Sequence, residues 1–69
     1  MAPNRPATDW RRLRDEANLS TRELSRRSGI SHVYITHIEN GRMFPTAAEA
    51  LAIGDALREA IAEREEPVA

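Results

Sequence analysis

The sequence predicts an all-α fold, a compact bundle of four or five short helices with a helix-turn-helix at its centre. Three observations carry this. Alanine, leucine, arginine and glutamate are abundant and aromatics make up only 4% of the 69 residues, a composition that favours helices. Helix-start and helix-stop residues recur at short intervals. Between them the apolar residues repeat at three-and-four spacing.

Size and composition restrict the function classes. One domain of this length sits near the lower limit for a single self-sufficient core. With no cysteine, neither a disulfide frame nor a thiolate metal site is available. No apolar run is long enough to span a membrane and no secretory leader is evident, so a cytoplasmic location is expected. The formal net charge of −1 hides a division. Residues 1–42 carry eight Arg against five acids, and residues 43–69 carry two Arg against six acids. A basic front half suits a polyanion, although so small an imbalance also arises by chance. Every basic residue apart from the histidines is Arg, a planar fork suited to phosphates and guanine edges. An arginine-rich genomic composition explains that equally well.

Residues 1–7, with Pro3 and Pro6, read as a loose arm in which Arg5 is available to a phosphate or a minor groove. Thr8 or Asp9 caps a first helix running to about Ala17 or Asn18. Trp10, Leu13, Arg14 and Ala17 form its inward side, with Trp10 as the core anchor and Arg14 as an odd inward charge. Ser20 and Glu23 make an S-x-x-E capping box. The second helix, about 21–28, buries Leu24 beside the small Ser25 and Ser28 and shows Arg22, Arg26 and Arg27 outward. Gly29 ends it in the left-handed conformation. Ser31 caps the third helix, about 32–40, which Gly41 ends.

This third helix divides at 100° per residue. Tyr34, Ile35 and Ile38 fall on one side, joined by Ile30. Val33, Thr36, His37 and Asn40 fall opposite, with His32 at the first turn and Glu39 at the edge of the buried stripe. Valine, threonine and histidine suit a face that reads base edges and thymine methyl groups better than an ordinary solvated one. A helix, a tight turn and a second helix is the geometry that places the second helix in a DNA groove.

Thr46 and Glu49 form a second capping box after the Arg42–Pro45 loop, and a last helix runs from Ala47 to about Glu65, before Pro67. Ala47, Ala50, Leu51, Gly54, Leu57, Arg58 and Ile61 trace its expected inward stripe, with Gly54 marking a close crossing or a break.

The stretch Leu13 to Leu57 resembles the phage-repressor helix-turn-helix family, the Cro and lambda-repressor (XRE) type. The shared pattern is L-R-x-x-x-x-L-S-x-x-E-L-(small)-x-x-(small)-G-I-S-x-x-Y-I-x-x-I-E-N-G-R, followed by Pro-Thr. The resemblance implies a lambda-repressor-like bundle and a transcriptional regulator, a repressor of phage or mobile-element type. It implies base contacts at His32, Val33, Thr36 and His37. Backbone contacts fall to Ser20, Thr21, Ser31, Asn40 and Arg42, with Tyr34 contributing its hydroxyl. Arg22, beside that helix start, joins this group. The resemblance also pairs Arg14 with Glu39 as a structural ion pair. Double-stranded DNA, read as an inverted repeat by a homodimer, is the expected partner, with no small-molecule ligand and no cofactor.

The family usually breaks after Leu57 and adds a fifth helix. Here the sequence continues as REAIAEREE without a turn, so either helix four is extended or a short fifth helix packs differently. The chain therefore divides into an arm (1–7), a helix-turn-helix domain (8–57) and a C-terminal helical extension and tail (58–69), the last a candidate dimer contact. His32 and His37, five residues apart, have no cysteine or carboxylate to complete a metal site. Ser31, His37 and Asp55 have no spacing that makes a hydrolytic triad, so no enzyme is expected. Two alternatives remain: an antitoxin that represses its own synthesis, and a protein-interaction module that kept the fold without DNA binding.

Overall fold

The computed structural model describes residues 8–65, which form four helices: α1 (Trp10–Glu16), α2 (Thr21–Ser28), α3 (His32–Glu39) and α4 (Ala47–Glu65). The arm at 1–7 and Pro67 lie outside the described residues. Each start is capped by its own sequence. The Asp9 carboxylate accepts the Arg12 N–H at 3.2 Å. Ser20 and Glu23 exchange bonds at 2.9 and 3.0 Å, and Thr46 and Glu49 do the same at 2.9 and 3.1 Å. Such reciprocal boxes satisfy two N–H groups that a helix start otherwise leaves unpaired.

The two ends around α1 and α2 are made by left-handed residues. Gly29 adopts φ +79° and donates its N–H to the Ser25 carbonyl at 2.8 Å. After α1, Asn18 takes φ +62°, a conformation that asparagine tolerates better than most residues.

α2 lies at the centre, packed chiefly on α4 and α3. Leu24, Ile35 and Ile53 are the largest fully buried side chains, joined by Ala17, Ile38, Ala56, Leu57 and Ala60. Trp10, Leu13, Leu19, Ile30, Tyr34 and Ile61 border this core. Trp10 is therefore an edge residue, half-buried, and the expectation that it anchors the core is corrected. A seven-residue first helix starts too close to the bundle's margin to carry a ring that large into the centre.

A second correction concerns α4. Its buried stripe is Ile53, Ala56, Leu57, Ala60 and Ile61, which runs i, i+3, i+4, i+7, i+8. Of the residues expected inside, Ala47, Leu51 and Arg58 face solvent, Leu51 with 64% of its surface exposed. The helix is alanine-rich all round, so two stripes satisfy the same spacing, and contact with α2 selects the one through Ile53. Nor does Gly54 mark a crossing or a break. α4 is continuous through it, and a Cβ there would meet only the Arg58 guanidinium at an ordinary 3.5 Å. Gly54→Ala should accordingly raise stability by about 0.5–1 kcal/mol, read as a higher unfolding midpoint.

Of the two arrangements open for the C-terminal segment, the molecule adopts the extended helix. Among the described residues, those past Leu57 pack back on the bundle rather than projecting. Ala60 is buried. Arg27 of α2 forms a bidentate pair with Glu63 at 2.9 and 3.1 Å, and the Arg64 guanidinium donates to the Glu16 carbonyl.

Arg27 holds the Glu63 carboxyl below the usual glutamate range, and the Ser20 backbone N–H does the same for Glu23. A carboxylate lowered in this way adds stability above its unfolded pKa and loses it as pH falls through the folded value. The unfolding midpoint should therefore drop as pH is lowered past about 4.5, and drop less in Glu63→Gln than in the parent.

Candidate nucleic-acid interface

Between α2 and α3 the chain turns in three residues. Gly29 reverses the backbone, the Ile30 N–H is held by the Ser28 hydroxyl at 3.2 Å, and the Ser31 hydroxyl caps α3 by accepting the Val33 N–H at 3.2 Å. Ile35 and Ile38 pin the inner side of α3 into the core. Its outer side is consequently fixed, with Val33 53% exposed, Thr36 exposed, and His32 and His37 half-buried.

The chemistry of that face is more specific than its composition. The Thr36 hydroxyl donates to the His32 carbonyl at 2.9 Å. Toward a ligand it therefore presents its methyl group and the oxygen's remaining lone-pair capacity, which suits a base amine or a thymine methyl.

Ser31, Val33, Tyr34 and His37 line one open cleft of about 710 Å³, together with Gly29, Ile30, Met43 and Glu49. His32, Thr36, Asn40, Arg42 and the start of α2 lie outside its lining. At that start, Ser20 and Glu23 already use each other's N–H groups. The donors left for an anion are the Thr21 and Arg22 N–H groups and the Ser20 hydroxyl proton, all at a positive helix end.

Beneath the C-terminal turn of α3, Arg14 grips Glu39 with two parallel bonds of 2.7 and 3.1 Å and also donates to the Leu19 carbonyl at 2.9 Å. The Glu39 side chain is 2% exposed and that of Arg14 15%. Bonding to Glu39 raises the Arg14 pKa above its ordinary value, against an opposing effect of burial. The pair ties α1 to the end of α3 and so fixes the angle at which α3 is presented.

Arg11, on the exposed side of α1, also reaches this end of α3. Its Nε lies 3.7 Å from Glu39, and its Nη2 donates to the Asn40 Oδ1 at 3.3 Å. With Oδ1 engaged, the Asn40 amide N–H groups remain available to a phosphate oxygen. No local signal marks Arg11, because its partners are 28 and 29 positions away.

The comparison with known families is decisive here. The family model described as a helix-turn-helix domain matches residues 11–66, most of the chain. The chain belongs to the helix-turn-helix domain family. Its type is that of the XRE and Cro superfamily. No curated protein and no solved structure gives a significant match. Helix-turn-helix domains of this type are found in DNA-binding regulators, which are typically not enzymes. No described helix is long and apolar enough to cross a membrane.

Proposed function

We propose that this helix-turn-helix domain binds double-stranded DNA sequence-specifically as a transcriptional repressor of phage or mobile-element type. The observation that carries the reading is α3 itself. Its inner side is locked by Ile35, Ile38 and the Arg14–Glu39 pair, while Val33, Thr36 and His37 are held outward on a rigid helix. In the proposed complex α3 enters the major groove. His32, Val33, Thr36 and His37 meet base edges. Ser20, Thr21, Arg22, Ser31, Tyr34, Asn40 and Arg42 set register on phosphates, with Arg11 orienting Asn40.

A helix of eight residues spans few base pairs, so two copies on an inverted repeat supply the length of a specific site. Occupation of that site represses by excluding polymerase.

Positioning and reading separate by mutation. Arg42 is exposed just past α3, and Arg42→Ala should weaken every duplex alike while reducing the slope of log affinity against log salt by about one. Titrations of matched and scrambled duplexes at several salt concentrations measure this. A loss confined to one sequence would make Arg42 a reader instead. Binding indifferent to changes on α3 would favour the protein-interaction module.

A further inference from the structure

We infer that Met43, in the loop after α3, forms with Val33 and His37 a subsite for the 5-methyl group of a thymine. This rests on the DNA reading above and adds a specificity residue that lies outside the recognition helix. The loop does not trail away from α3. The His37 carbonyl accepts both the Arg42 N–H at 2.9 Å and the Met43 N–H at 3.3 Å, so Met43 is folded back on the last turn. Its side chain lines the same cleft as Val33, Tyr34 and His37.

Met43 and Val33 are 37% and 53% exposed, two apolar side chains beside a face otherwise supplied with hydrogen-bonding groups. Covering them is favourable only for an apolar partner. On the major-groove edge of DNA the apolar group is the thymine methyl, with the O4 acceptor next to it. Val33 and Met43 match the first and the His37 ring the second, and an unbranched methionine adapts its shape to the contact. Glu49 also lines the cleft, its carboxylate turned to its own helix start, where it accepts the Thr46 N–H at 2.9 Å.

The test begins with duplexes that the parent protein enriches from a random library. Each thymidine in turn is replaced by deoxyuridine, which removes one methyl group and nothing else. At one position per half-site the parent should lose about fourfold in affinity, the value of one buried methyl-sized group. Met43→Ala should bind the thymidine and deoxyuridine forms of that position alike while keeping its preferences elsewhere, and Met43→Leu should keep the discrimination. A second readout needs no variant. The chain contains two methionines, Met1 and Met43, so the Met43 signal of a ¹³C-methyl-methionine spectrum should move differently with the two duplexes. Enrichment by the parent, with discrimination retained at every position by Met43→Ala or identical Met43 shifts with both duplexes, overturns this subsite alone. A parent that enriches no duplex overturns the DNA reading and the subsite with it.

Discussion

Replacing Arg14 with methionine is expected to destabilise the fold by about 3–5 kcal/mol. The substitution keeps the apolar stem and removes the guanidinium. Glu39 is then left 2% exposed beside only the Arg11 Nε, at 3.7 Å, and the Leu19 carbonyl loses its 2.9 Å donor. A domain of this size has only a few to about ten kcal/mol of stability in total. The variant should therefore be largely unfolded near physiological temperature, as seen by circular dichroism and urea titration. The double variant Arg14→Met, Glu39→Leu should recover most of the loss, because a buried ion pair and an apolar pair of similar volume are close in free energy. DNA affinity should recover less than stability does, since the pair also sets the angle of α3. Equal recovery of both would limit the pair to holding the fold together.

Thr36→Ala and His37→Ala should each cost about 1–3 kcal/mol of binding to the preferred sequence and little of binding to random duplex. Neither residue belongs to the buried core, so helicity and midpoint should stay near those of the parent. Thr36→Ala should leave the helix as stable as the parent's or slightly more so, because alanine is the better helix former and the lost hydroxyl bond runs only to the His32 carbonyl four residues back. Matched stability measurements separate that effect from readout. The two losses should fall at different base positions, because consecutive residues of a helix point about 100° apart. Uniform weakening of all sequences by both variants would remove them from the readers and leave them as phosphate contacts.

What the sequence made legible was local. Ser20 with Glu23, Thr46 with Glu49, Gly29 and Ser31 each act within three or four residues, and the caps and the turn form as those residues dictate. The division of α3 into an inner and an outer side was legible for the same reason, since Ile35 and Ile38 leave no second stripe to choose. In α4 the local signal was degenerate. Alanine on every face lets the spacing fit either Leu51 or Ile53, and only contact with α2 decides between them. Arg11 was illegible on different grounds, because its partners Glu39 and Asn40 come from another helix. Trp10 was misjudged by size alone, since the volume of a side chain says nothing of where its helix starts.

The most direct test of the central claim is selection of bound duplexes from a random DNA library at near-physiological salt. The account predicts enrichment of an inverted repeat whose half-sites are spaced for two copies of α3 in successive major grooves. Weak binding that enriches nothing and disappears with added salt would contradict it.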